Sequence, residues 1–215
     1  MNSLSMSAIA AELKPRKSPV QARSLATMDA IYEATIQVLV AEGMARFNTT
    51  RVAERAGVSV GSLYQYYPNK RSLLAAVLER HLLHVVEVVE KVCAAQRGVP
   101  LADMARAVSI AFVDAKMERP DVSKALYAVA EEHGGTVFVG RARARMHKAM
   151  SAALASASDA RPNDLETVSS MFLSAMVGPV RNLLETDVSR ARIAKLREHI
   201  VVLTSAYLSA TCLAR

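Results

Sequence analysis

At 215 residues and 23.2 kDa, 52% hydrophobic and with a formal charge of +7, the chain can form one large or two small domains around a sizeable core and suits a polyanionic partner. Its apolar runs are broken by charge before the ~18 residues a membrane span requires, and no long apolar core follows the N-terminal charges, so neither insertion nor export is expected. Low aromatic content, no Trp, and long stretches of Ala, Leu, Met and Val without sustained β-branched alternation predict an all-α chain in which no strand is needed. Residues 1–23 form a basic arm, with Lys14, Arg16, Lys17 and Arg23 against Glu12 and two prolines. Such an arm is expected to be flexible when free, and either stays solvated or settles along phosphates or in a minor groove.

Residues 48–70, NTTRVAERAGVSVGSLYQYYPNK, read as a helix, a turn, a short helix and the capped start of a third. Asn48 or Thr49 can cap the first, whose inward stripe is Val52 and Ala56. Gly57 supplies the turn, because a residue just past a helix end often needs positive φ, and Val58 fills the angle between the helices. Ser59 caps the second helix, residues 60–66, which Leu63 and Tyr67 anchor inward. Gly61 and Ser62 are small enough for a groove floor to approach, and the phenols of Tyr64 and Tyr66 suit phosphate oxygens. Pro68 ends that helix and Asn69 caps the next, where Lys70 and the free N–H groups favour an anion. This is the pattern of a helix-turn-helix that reads double-stranded DNA. With Thr49, Thr50, Arg51, Val60 and Gln65, these residues are the candidate DNA contacts.

At this point the chain resembles the TetR family of bacterial transcriptional regulators. The helix of Ile31, Ala34, Thr35, Val38 and Leu39, followed by Glu42-Gly43, looks like the family's first helix, and AGVSVGSLYQYYPNKRSLLAAVL from Ala56 to Leu78 like its most recognisable block. By that resemblance Val60, Gly61 and Ser62 face the groove, Tyr64, Tyr66 and Lys70 meet phosphate, and Leu63 and Tyr67 are core. The sequence departs at Tyr67, where Phe is commoner, so its hydroxyl needs a partner, and at Phe47, where a polar residue is common. A three-helix DNA-binding domain over 24–70 and a helical ligand-binding and dimerisation domain over 71–215 are implied, joined by a linking helix over 71–96.

That linking helix carries Leu73, Leu74, Val77, Leu78, Leu82, Val85, Val86 and Val89 at helical spacing and ends at Gly98-Val99-Pro100. Further helices are expected over 101–118, 121–132, 136–157, 163–187 and 189–213, with Gly178-Pro179 kinking the fourth of these. Leu165, Val168, Phe172, Ala175, Pro179 and Leu183, then Ile193, Leu196, Ile200, Leu203 and Tyr207, recur in steps of three and four. Such stripes either cover their own core or pair with a second copy in a four-helix interface; the family resemblance favours a homodimer. Between them and the DNA unit, Met104, Phe112, Met117, Tyr127, Phe138, Met146, Met150, Met171 and Met176 either pack the core or line an adaptable pocket for a small-molecule effector.

The expected function is therefore that of a sequence-specific transcriptional regulator, a cytoplasmic repressor released by a ligand, with no cofactor and no chemistry of its own. One alternative is a constitutive DNA-binding or partner-binding protein without a working pocket. Another is a metal-responsive regulator or metalloenzyme built on His81, His84 and Glu87, stacked on one helix face without an evident fourth ligand.

Overall fold

The computed structural model describes residues 22–132, 135–186 and 188–214. In chain order these form α1 (Ala22–Arg46), α2 (Thr49–Ala56), α3 (Val60–Tyr66), α4 (Lys70–Ala95), α5 (Leu101–Met117), α6 (Pro120–Glu132), α7 (Thr136–Ala155), β1 (Ala160–Pro162), α8 (Leu165–Glu185), α9 (Arg190–Thr211) and β2 (Cys212–Ala214). They group into two compact units. The first holds the described residues up to 81 together with 125–139, the second 82–124 and 140 onward, so α4, α6 and α7 each contribute to both.

In the first unit, α1 buries Ile31, Ala34, Ile36, Val38 and Leu39 and is interrupted at Gly43, whose φ of 71° suits a residue without Cβ. Asn48 caps α2 by accepting from the N–H groups of Thr50 (2.8 Å) and Arg51 (3.2 Å). The helix packs against both α1 and α3. Its buried residues are accordingly the adjacent Val52 and Ala53, not the Val52 and Ala56 stripe expected from one-sided packing; Ala56 is half-buried. Gly57 is left-handed (φ 68°, ψ 30°), and the Val58 N–H reaches back to the Ala53 carbonyl at 3.0 Å, closing the end of α2. Asn69 and Ser72 cap α4 reciprocally: the Ser72 N–H donates to Asn69 Oδ1 at 2.8 Å and the Asn69 N–H to Ser72 Oγ at 3.2 Å.

Behind α3, the Tyr67 ring is buried. Burial pushes its phenol above the usual value, partly countered by the charge of Arg80. Arg80 lies over the Tyr32 ring at 4.1 Å and bonds Asp29, tying α4 to α1. Gly135, in the turn before α7, packs so tightly that a Cβ there would sit 2.6 Å from both Ala130 Cα and Leu78 Cδ2. Gly135→Ala should therefore cost about 1–3 kcal/mol, because backbone must move. Urea denaturation measures this, and an unchanged midpoint would contradict the packing.

The second unit is built around α9, which packs chiefly on α5 and α8. Its core includes Val86, Val89, Met104, Val108, Phe112, Met150, Leu154, Phe172, Met176, Val180 and Leu184. A buried hydrogen bond at 2.9 Å joins the hydroxyls of Ser109 and Thr204 across α5 and α9. Pro100 offers no side-chain cap to α5, and Asp159 replaces it by accepting from the Leu101 N–H at 2.9 Å. Helix α8 begins at Leu165 rather than 163 because Asp164 caps it, bonding the Thr167 N–H at 3.1 Å, and it runs through Pro179 as one element. The expectation that no strand is needed is corrected by a short antiparallel pair, Ala160 opposite Ala214 and Pro162 opposite Cys212. Helix α9 stops at Thr211, short of 213, because the chain turns extended there to meet β1.

Candidate nucleic-acid interface

The second helix of the turn motif has one fully buried side chain, Leu63 (0% exposed), and Tyr67 (4%) lies one turn beyond it. Gly61, Tyr64 and Gln65 are exposed, while Val60, Ser62 and Tyr66 are half-buried. The helix is thus anchored from one side and open on the other, as a groove-entering helix must be. Its start is fixed by Ser59, whose Oγ accepts from the Ser62 N–H at 3.0 Å and shares a hydrogen bond of 2.8 Å with Ser62 Oγ. Thr49, half-buried at the start of α2, shares a hydrogen bond of 2.9 Å with the Tyr64 hydroxyl. That bond clips α2 to α3 and fixes where the phenol points.

Thr50 is exposed beside Thr49. Arg51 is also exposed and forms an ion pair with Glu42, whose hydrogen bond and charge raise the guanidinium pKa further above its ordinary value. Lys70 has an internal partner: its Nζ donates to the Phe47 carbonyl at 3.2 Å and lies 5.3 Å from the Phe47 ring. A backbone carbonyl dipole thus stands beside this lysine within the protein. Phe47 is buried, so the departure at that position serves as a seat for Lys70. One such bond uses one of an ammonium's three donors. The basic arm, Lys14, Arg16 and Lys17 together with the Arg23 side chain, lies outside the described residues.

The other candidates scatter more widely. Met104, Phe112, Met150 and Met176 are buried in close-packed core, Tyr127 and Met146 are half-buried, and Met171 is 52% exposed on α8, so it lines no interior space. Among the side chains expected at a dimer interface, Val168, Phe172, Leu183 and Ile200 face inward and are buried in their own unit, the own-core role that periodicity leaves open beside pairing. Leu165, Ile193, Leu196 and Tyr207 are half-buried and Leu203 is 48% exposed. Helices α8 and α9 also carry the exposed apolar side chains Met171, Val177 and Val202.

Two open clefts of about 460 and 410 Å³ flank Arg197, between α5 and α9, with α4 contributing to the first. The first is lined by Val88, Met117 and Ile193 among others, and by the bonded pairs His84–Glu118 and Arg197–Asp114. His81 is buried, and His84 is committed to Glu118 at 2.8 Å. The stack of His81, His84 and Glu87 therefore gathers no ligand set; among the described residues no three such side chains are placed to hold a metal ion.

Sequence reasoning missed the Thr49–Tyr64 and Lys70–Phe47 bonds, which join residues 15 and 23 positions apart. It also missed Lys116, which is buried in the second unit and whose pKa burial pushes down to about 8.

Comparison with known proteins agrees with this arrangement. Residues 31–77 match the family model described as bacterial regulatory proteins, tetR family, and residues 100–208, about half of the chain, match the tetracyclin repressor-like C-terminal domain. Over 67 residues the chain is 36% identical to the HTH-type transcriptional repressor DrrR1 of Streptomyces coeruleorubidus, covering 31% of this chain and 24% of that protein. The chain thus spans about a quarter or less of the length of the curated relatives it matches. A TetR-family transcriptional regulator from Mesorhizobium loti superposes with a TM-score of 0.76 at 17% identity, covering 90% of this chain and all of that one. The regulator FadR from Bacillus subtilis, solved in complex with stearoyl-CoA, superposes with a TM-score of 0.68 at 13% identity, covering 83% and 98%. At such identities the structural likeness shows the fold alone.

Proposed function

This chain belongs to the tetR family of bacterial regulatory proteins, and we propose that it is a homodimeric repressor that holds a duplex operator through α2 and α3 and releases it when a small molecule binds. The observation that carries the reading is the one-sided anchoring of α3, with Leu63 and Tyr67 buried while Gly61, Tyr64 and Gln65 are exposed. Thr49, Thr50, Arg51, Val60, Ser62, Tyr66 and Lys70 surround them and are proposed to share the contact, the phenols and Lys70 on phosphate. The DNA-binding part is taken as 24–70 behind the basic arm 1–23, and 71–215 as the regulatory and dimerisation part.

For dimerisation, the exposed Met171, Val177 and Leu203, continued by half-buried Leu165, Ile193, Leu196 and Tyr207, give α8 and α9 an apolar surface that a second copy would cover. A two-fold pair would then present two copies of α3 to two half-sites. Leu203→Glu should place like charges at that contact, yield monomers in sedimentation and lower operator affinity at least tenfold. A wild-type monomer at micromolar concentration, or a variant that still pairs and binds normally, would remove the dimer from the proposal.

Release would follow linkage. A ligand lowers operator affinity only by its own preference for the conformation that binds DNA poorly, and a hundredfold loss requires about 2.7 kcal/mol of such preference. Helix α4, one continuous element whose residues are divided between the two units, is the proposed carrier. FadR, whose fold is similar, was solved in complex with stearoyl-CoA, an anionic molecule with a long apolar chain. A second reading, constitutive binding without an effector, draws support from Met104, Met150 and Met176, each 0% exposed in packed core. Thermal-shift screening with apolar and anionic metabolites separates the two, because a true ligand must raise the melting temperature. No helix among the described residues is long and apolar enough to cross a membrane, in keeping with the cytoplasmic site of action proposed here.

A further inference from the structure

Successive residues of a helix are turned by about 100°. Leu63 and Tyr67, both buried, set the inward direction of α3. Gly61 and Gln65, one turn apart, then lie roughly opposite that direction on its outermost line, and both are exposed.

Nothing among the described residues demands glycine at 61. Its φ is not positive, and a Cβ there would meet nothing closer than Ser59 Oγ at 3.8 Å, an ordinary contact. Glycine within a helix is destabilising relative to alanine, so its presence on the outermost line suits close approach by an external surface. Such an approach brings Gln65, one turn on, to the same surface.

The polar neighbours on either side are already engaged. The Ser62 hydroxyl is shared with Ser59 and the Tyr64 hydroxyl with Thr49. Val60 has no polar side-chain atom, and Tyr66 is half-buried. The Gln65 side chain makes no hydrogen bond to any described residue. Its carboxamide therefore presents a free acceptor and a free donor side by side. In the major groove only adenine matches that pair, offering an N6 amino donor beside the N7 acceptor.

We infer that Gln65 is the residue that sets base identity, holding an adenine at one position of each half-site. This rests on the operator-binding function proposed above. The side chain is exposed and makes no hydrogen bond to the described residues, so its replacement leaves their fold intact.

The test is selection of bound duplexes from a random pool by the full chain and by its Gln65→Ala and Gln65→Arg variants. Wild type should enrich an inverted repeat containing a symmetric A·T position. Gln65→Ala should lose roughly five- to hundredfold of the discrimination at that position and keep the preferences elsewhere. Gln65→Arg should move the same position toward G, whose O6 and N7 accept a guanidinium fork. Unchanged preferences in both variants, or a Gln65-dependent position that is not A·T, would overturn the assignment while leaving operator binding in place. Absence of any enriched sequence with wild type would overturn operator binding itself, and this inference with it.

Discussion

Leu63→Ala is expected to cost about 2–5 kcal/mol of stability and to reduce operator affinity by more than tenfold. The residue is 0% exposed and is the single buried side chain within α3. A helix of seven residues has no stability of its own in water. What holds it in place is the burial of Leu63, followed by Tyr67, whose N–H donates to the Leu63 carbonyl at 2.9 Å. Truncation leaves a cavity at that anchor and frees the helix to tilt, which disperses Gly61 and Gln65 relative to any groove. Tyrosine fluorescence suits the measurement: the chain has no Trp, and Tyr32, Tyr64, Tyr66, Tyr67 and Tyr127 belong to the first unit, against Tyr207 in the second. The signal should melt earlier while sedimentation remains that of wild type. Unaltered melting and binding would mean that α3 is held by something other than Leu63.

Lys116→Met is expected to act in the opposite direction, raising stability by roughly 1–3 kcal/mol at neutral pH. Lys116 is buried in the second unit, and burial pushes its pKa from 10.5 down to about 8. The folded state therefore binds the proton more weakly than the unfolded chain does. Below about pH 8 both states are protonated and the burial penalty is present in full; it shrinks as pH rises from about 8 to 10.5 and vanishes above that. Methionine has similar length without the charge, so the variant should lead most at pH 7 and converge on wild type near pH 10.5. Paired melts across that range measure it. A variant less stable than wild type at both ends would show that contacts of the ammonium outweigh its desolvation.

The helix-turn-helix was legible in the sequence because its determinants are local. Asn48, Gly57, Ser59 and Asn69 each act on backbone within a few residues, and each holds the end of the element expected of it. Inward direction was less legible where a short helix has two neighbours, which is why Ala53 rather than Ala56 is buried in α2. Periodicity on α8 and α9 located apolar faces but not what covers them. Phe172 and Ile200 turned out to fill their own core, while Met171 and Val202 lie outside it. The Thr49–Tyr64 clip and the Lys70–Phe47 seat depend on segments meeting in space, and no local pattern announces them. Nothing flags Lys116 either, since a lysine between Ala115 and Met117 reads equally well as a snorkelling side chain.

The central claim is that α3 is an outward probe for duplex DNA. Amide hydrogen exchange of the full chain, with and without a duplex selected from the random pool, tests it most directly. The account calls for new protection concentrated in residues 49–70. Protection confined to α5, α8 or α9, with residues 57–67 exchanging as in the free protein, would contradict it.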